Sequence, residues 1–333
     1  MFFDGKNILI TGGTGSVGCV LLKRLLEGDH GTPKRIVVLS RDEAKQSAMK
    51  ASYAMNEKLK DSFARRVHFR VGDVRDYSSL VSALDGIDVV FNAAALKQVP
   101  SCEDFPYEAV RTNIGGPENI VRVIQQCKYP VEVVVGISTD KACKPVSVMG
   151  MTKAIQERLF LSASQRCPDT RFVCTRYGNL LASTGSVVPL FKEQIKKGGP
   201  VTVTVPNMTR FLSSLDAAVD IVFAAAETGR SGETYIPRLP SARIIDMAKA
   251  MIGSRQIDIK VSGIRPGEKM HELLVSEDEA RRTFERDGYY VIASVLSEFE
   301  GAPGLKEEFS SERIVMSLSE LTALLKENGV LND

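Results

Sequence analysis

Residues 11–18 read TGGTGSVG, directly after the apolar run Asn7–Thr11 and at the start of an amphipathic stretch, Val17–Leu26. Glycines at 12, 15 and 18 let a backbone turn sharply out of a strand and approach a ligand closely. The chain then enters a helix whose N-terminal N–H groups and dipole favour an anion. A lone glycine pattern says little, but strand, glycine turn and helix in this order form the pyrophosphate-binding opening of a dinucleotide fold. Gly12, Thr14, Gly15, Ser16, Val17 and Gly18 are therefore candidate cofactor contacts.

The rest of the first half repeats the theme. Val- and Ile-rich runs at Arg35–Leu39, Val67–Val71, Asp88–Ala94, Val131–Ser138 and Arg171–Tyr177 barely alternate with polar residues, as expected of parallel strands covered on both faces. Helical stretches at Glu43–Lys58, Ser79–Leu84 and Tyr107–Gln126 lie between them. The pattern predicts an α/β protein with a Rossmann-like, doubly wound parallel sheet over residues 1–177. After Gly178, Gly, Pro and Thr become frequent. Residues 178–333 read as a smaller C-terminal substrate-binding lobe with helices near Leu215–Ala226 and Arg243–Ile252, and some of its segments could rejoin the sheet. The run YYVIASV suggests a late strand, and LSELTALLKEN a closing helix.

Composition excludes several classes. The 43 basic and 41 acidic residues leave a formal charge of +2, too little for a broad field that attracts nucleic acid. The six cysteines form no C-x-x-C pair, which argues against a zinc site and against a disulfide framework. Three histidines leave no basis for a His-rich metal centre or a Ser-His-Asp triad, and no metal is expected. The N-terminus lacks a signal-peptide pattern, and no apolar run approaches the ~20 residues of a membrane span. A cytoplasmic location is expected.

The second strand ends in Ser40 and Arg41, with Lys45 one helical turn on, where an NAD enzyme places an acidic residue. A hydroxyl and two cations suit a 2′-phosphate, so NADP is the expected cofactor; the bland alternative is a solvated helix start capped by Asp42 or Glu43. Asp73 and Val74 follow the third strand, Asp73 within reach of an adenine amino group. Ala93 and Ala94 end the fourth strand, and their small side chains leave room for a cofactor along the backbone. Lys97 sits just past that strand's carboxyl end, where ligands of open α/β sheets bind.

The stretch STDKACKPVSVMGMTK, Ser138–Lys153, occupies the place where short-chain dehydrogenases carry Tyr-x-x-x-Lys. Lys153 stands in the lysine position and Met149 in that of the tyrosine, four residues apart and thus on one helix face. A thioether cannot accept a proton, so Met149 is a packing residue, expected against the sugar or nicotinamide.

In order along the chain, ILITGGTGSVG, SRDEAKQ, GDVRD, NAAALKQVP, STDKA, VMGMTK, RYGN, GSVVPLF, MTRF and IRPGEKMHE span Ile8 to Glu272. With these motifs the chain resembles the extended short-chain dehydrogenases that act on nucleotide sugars. More narrowly, it resembles the UDP-N-acetylglucosamine 4,6-dehydratases, including those that invert C5 and some that carry Met at the Tyr position. The resemblance implies catalytic NADP, a UDP-N-acetylglucosamine substrate, a homo-oligomer and a role in surface glycan precursor synthesis. Dehydratases of the legionaminic acid type use GDP-N-acetylglucosamine, and the motifs do not separate the two nucleotides.

A 4,6-dehydration needs hydride removal at C4, a base for the C5 proton, an acid for the departing C6 hydroxyl and return of the hydride to C6. The resemblance implies Lys141 as the C5 base, Asp140 as the acid toward the C6 oxygen, Thr139 at O4 and Lys153 on the nicotinamide ribose. A lysine base must be partly neutral near pH 7, and burial with Lys97 or Lys153 nearby is expected to lower its pKa. The 4-hydroxyl proton has three candidate receivers: Lys141, Asp140 through Thr139, or a water held by Lys153. Substrate contacts are expected from Lys97, from Asn179, from the helix start at Thr184–Val188 with Ser186 and Val187, from Arg210 and Arg265 as phosphate clamps, and from Glu268 on ribose hydroxyls. A nucleotide-sugar 4-epimerase shares most of these motifs but needs no acid–base pair at C5 and C6. A non-catalytic NADP sensor is the reading that Met149 alone would favour.

Overall fold

The computed structural model describes residues 1–181, 186–296, 301 and 303–331. Six strands build the front of the sheet: β1 (Asn7–Thr11), β2 (Arg35–Ser40), β3 (Val67–Val71), β4 (Val89–Asn92), β5 (Val133–Ile137) and β6 (Arg171–Thr175). They lie parallel in the order β3-β2-β1-β4-β5-β6. The connecting helices are α1 (Ser16–Glu27), α2 (Glu43–Ala54), α3 (Lys60–Arg66), α4 (Tyr77–Leu84), α5 (Val99–Asp104), α6 (Pro106–Val110), α7 (Gly116–Cys127) and α8 (Val148–Arg166). Strand order reverses between β1 and β4, which opens a crevice at their carboxyl ends. There Thr11 Oγ1 donates to Asn92 Oδ1 at 2.8 Å and accepts from Ala94 N at 3.2 Å, so one hydroxyl ties the two strand ends together.

The apolar runs alternate sides as the pleat requires. Ile8, Ile10 and Val38 enter one buried cluster, and Leu9, Val37 and Leu39 enter another on the opposite face. Burying each such side chain contributes about 1.5–3 kcal/mol. The expectation of two covered faces fails at β3, the sheet edge, where Val71 is 63% exposed because no strand lies beyond it.

Two helical stretches divide differently from the sequence reading. The segment Glu43–Lys58 ends at Ala54, and α3 forms before β3. The segment Tyr107–Gln126 breaks into α6, a π-turn at Arg111–Gly115 and α7, which has Pro117 in its first turn. Proline lacks an N–H, so the helix begins afresh there at little cost. The π-turn directs the fully buried Asn113 toward the loop after β4: its Oδ1 accepts from Leu96 N, and its Nδ2 donates to Leu96 O and to Thr152 Oγ1.

Beyond Gly178 come β7 (Asn179–Leu180), α9 (Val187–Lys196), β8 (Val201–Val203), β9 (Thr209–Ser213), α10 (Leu215–Thr228), β10 (Thr234–Ile236), β11 (Ser241–Arg243), α11 (Ile244–Ile252) and β12 (Ile259–Val261). After them lie β13 (Leu273–Val275), α12 (Glu277–Ala280), β14 (Thr283–Arg286), β15 (Tyr289–Ile292), β16 (Phe309–Ser310) and α13 (Leu318–Glu327). The late strand and closing helix read from sequence correspond to β15 and α13. β10 adds to β6 in parallel, and β15 and β14 extend the sheet antiparallel to nine strands. α9, α11 and α13 share a separate core that includes Phe191, Met247, Leu321 and Leu325. No helix among the described residues is long and apolar enough to cross a membrane.

Candidate active site

A cleft of about 990 Å³ runs along the carboxyl ends of the parallel strands and under the C-terminal lobe. Among the described residues, every one singled out above as cofactor-binding, substrate-binding or catalytic lines it except Asp140 and Val188. Thr184 and Gly185, read as part of the helix start before α9, lie outside the described residues.

At the cofactor end, Gly12 has φ +64°, and a Cβ there would sit 2.8 Å from the backbone of Ala94. A Cβ on Gly18 would meet Gly13 at 2.6 Å. The turn is thus drawn against β4 more closely than any other side chain allows. Arg41 is half exposed, with Nη1 3.7 Å from Asp73 Oδ2, and Lys45 Nζ lies 3.5 Å from Asp42 Oδ2. Asp42 also caps α2 by accepting from Lys45 N, so the capping alternative holds while both cations face the cleft. Asp73 is more engaged than its proposed adenine contact requires: Arg75 donates to it from the backbone and from Nε. Lys97 has no ion-pair partner among the described residues, and burial lowers its pKa.

The chemical end is built on β5 and α8. Thr139 opens a 3₁₀ turn, Asp140–Ala142, directly after β5. Its Oγ1 donates to Asp140 Oδ1 at 2.8 Å, and Lys141 Nζ reaches the same oxygen at 3.0 Å. Asp140 is fully buried behind these two side chains. A carboxyl reaching the substrate directly is therefore corrected to one that reaches the cleft only through Thr139 or Lys141. Lys141 Nζ also lies 3.3 Å from Asn179 Oδ1 and 3.3 Å from Glu272 Oε1.

This surrounding overturns the expectation that Lys141 has a lowered pKa. Burial pulls it down, but the Asp140 and Glu272 carboxylates outweigh burial and hold it above the ordinary lysine value. Beside the Thr139–Lys141 turn it is Lys153, like Lys97 at the cofactor end, that shifts down. Burial takes it to about 8, with the ammonium donating to Ile137 O and Gln156 Oε1.

Met149 is 5% exposed, lines the cleft and packs with Cys102 and Ala109, and with Leu96, Val99 and Val148 at the margin. It joins α8 to α5 and α6. In the lobe, Arg210 is buried and already engaged: Nη1 donates to Thr209 O and Met270 O, and Nη2 meets Met208 Sδ. Arg265 is exposed at the turn Arg265–Glu268, closed by Glu268 N donating to Arg265 O at 3.1 Å. Glu268 accepts weakly from Arg265 N at 3.4 Å.

Sequence reasoning missed Glu272, Tyr177, Ser138 and Thr112, which also line the cleft. Glu272 ends the IRPGEKMHE motif, and Tyr177 sits inside RYGN, so the motifs held the signal even though no role was attached to these positions. Ser138 Oγ, Thr112 Oγ1, Ser186 Oγ and Glu272 Oε2 are buried at the cleft wall without a hydrogen-bond partner among the described residues. Such orphaned polar atoms, together with the close glycine cradle, fit a bound dinucleotide and a second polar ligand.

The model of the family described as "Polysaccharide biosynthesis protein" matches residues 8–294. The chain belongs to that family. A protein of Rickettsia akari named UDP-glucose 4-epimerase is 42% identical over 341 aligned positions, covering 98% of this chain and 96% of its own length. The structure of Pen from Bacillus thuringiensis is 35% identical with a TM-score of 0.90, covering 99% of this chain and all of that one. DesIV, a dTDP-glucose 4,6-dehydratase from Streptomyces venezuelae solved with NAD, is 20% identical with a TM-score of 0.70, covering 79% of this chain and 86% of its own, a likeness of fold.

Proposed function

We propose that this family member catalyses the NADP-dependent 4,6-dehydration of a nucleotide-activated N-acetylglucosamine, with UDP as the favoured nucleotide, to a 4-keto-6-deoxy sugar. The observation that carries this reading is the contact of Lys141 Nζ with Asp140 Oδ1 at 3.0 Å, at the carboxyl end of β5 and on the floor of the cleft. An amine and a carboxyl that can exchange one proton serve an elimination, which needs a base at C5 and an acid at C6. Interconversion at C4 alone needs neither.

The glycine turn 12–18, Ala93 and Ala94 would hold the dinucleotide, and Arg41 and Lys45 would meet its 2′-phosphate. When bound, the nicotinamide supplies hydride acceptance at C4 and return at C6. Proton transfer from Lys141 to Asp140 leaves a neutral amine to take the C5 proton. The proton on Asp140 then reaches the C6 oxygen through the Thr139 hydroxyl, the only non-lysine group that hydrogen-bonds Asp140 Oδ1 among the described residues. Lys153 lines the cleft as an ammonium, and a water held by it would receive the 4-hydroxyl proton. Asn179, Lys97 and Arg265 would bind the diphosphate and sugar, and Glu268 the ribose.

The name of the Rickettsia akari relative favours a second reading, 4-epimerisation of a nucleotide sugar. One experiment separates the two. The protein is incubated with UDP- and GDP-N-acetylglucosamine in deuterated water and followed by NMR. Loss of water with a deuterated C5 supports dehydration, and the C5 configuration reports inversion. A C4 epimer with C5–H intact rejects it.

A further inference from the structure

Glu272 lies between the Arg265–Glu268 turn and β13, and none of the chemistry above uses it. Its side chain is 2% exposed yet faces the cleft. Oε1 lies 3.3 Å from Lys141 Nζ and 3.9 Å from Arg210 Nε. Oε2 lies 3.7 Å from Lys269 Nζ and has no hydrogen-bond partner among the described residues. The backbone is clamped on both sides: Glu272 N donates to Ser311 Oγ at 2.9 Å, and Ser311 N donates to Glu272 O at 2.9 Å. Ser311 Oγ in turn meets Thr209 Oγ1 at 2.7 Å. A carboxylate this deeply buried is tolerated only where cations face it, and here the cations converge on it from three segments.

We propose that Glu272 is a positioning residue for Lys141: by pairing with its side-chain nitrogen it holds the Lys141 side chain at the cleft floor opposite Asp140. This rests on the reading of Lys141 as the acid–base group of the proposed reaction. The groups facing Lys141 are Asp140 from the 3₁₀ turn, Glu272 from the approach to β13, Arg210 from β9 and the neutral Asn179 from β7. Burial and Arg210 favour the neutral amine, while Asp140 and Glu272 favour the ammonium. Lys269 competes for the Glu272 charge from the far side. Because Glu272 is fastened to Ser311, which in turn bonds Thr209, the C-terminal segments govern the protonation of a residue in the turn after β5.

The test is competitive acetylation of the full-length protein with trace acetic anhydride across a pH series, with the Lys141 peptide quantified by mass spectrometry. The Lys141 side chain is 24% exposed, so the reagent can reach it. Glu272→Gln keeps the shape and removes the charge, and its labelling midpoint is expected about 1–2 pH units below wild type. An unchanged midpoint in the folded variant overturns the assignment. Should Glu272→Gln not fold, Lys269→Met decides: freed of its competitor, Glu272 is expected to move the midpoint upward, and a midpoint at the wild-type value overturns the proposal. The readout needs no turnover. A protein found to epimerise C4 would defeat the dehydration reading, while the labelling midpoint alone still decides whether Glu272 holds Lys141.

Discussion

Lys153 Nζ lies 2.6 Å from Gln156 Oε1, and both side chains donate to the carbonyl oxygen of Ile137, the last residue of β5. Lys153 on α8 is thus held by the strand that leads into the Thr139–Lys141 turn, and its burial brings its pKa to about 8.

A pH dependence follows from that shift. The unfolded lysine keeps its proton up to its ordinary value of 10.5, whereas the folded one loses it near 8. Between these values the unfolded state binds more protons, so this group makes stability rise with pH through that window and penalises the fold below it. Thermal unfolding of Lys153→Met without ligands should lose this component. If the ammonium also holds the cofactor, the Kd for NADP should rise as pH passes about 8 in wild type and stay flat in the variant.

Gly150 lets α8 sit directly on the reactive turn. A Cβ there would fall 2.3 Å from the Lys141 carbonyl oxygen, a backbone atom that cannot swing aside. Gly150→Ala should cost about 1–3 kcal/mol in chemical denaturation through overpacking, and turnover should fall with it because the Lys141 turn must move.

Cofactor choice should depend on Arg41. Arg41→Ala removes a cation of the expected 2′-phosphate site and should weaken NADP by about 10-fold or more, with NAD little changed, as expected for a hydrogen bond to a charged group. Titration of both cofactors by fluorescence checks this. Tighter binding of NAD than NADP to wild type would reject the NADP reading.

Lys141→Ala should abolish solvent-deuterium exchange at C5, and retained exchange would remove Lys141 from the base role. Met149→Ala should preserve that exchange in direction but lower turnover. It should also cost about 2–4 kcal/mol, since the lost thioether leaves a cavity against Cys102 and Ala109. Unchanged turnover and unchanged cofactor binding would show that Met149 has no role at the ligand.

Much of the site was legible because its residues lie in local patterns. The glycine turn, the Ser40–Lys45 strand end, Lys97, the Thr139–Lys141 turn and the Met149–Lys153 helix step each combine a short motif with a place at a strand's carboxyl end. Parallel topology brings all those ends to one edge. The sheet was legible for the same reason, apart from β3, whose exposure depends on being last in the order, and the π-turn at Arg111–Gly115, which interrupts an otherwise continuous helical pattern.

The charge states were not legible. The sequence by itself determined a Rossmann-like α/β sheet and most of the residues that gather at the cleft. Only the tertiary structure decided that Lys141 is held charged, that Lys153 is the lysine with the lowered pKa near 8, and that Asp140 lies behind the wall rather than on it. A pKa sums burial and the fields of every nearby charge. Asp140, next in the chain, and Glu272 together reverse the expectation for Lys141; Glu272 is far away in the chain and delivered by the C-terminal segments, so no local pattern encodes its share.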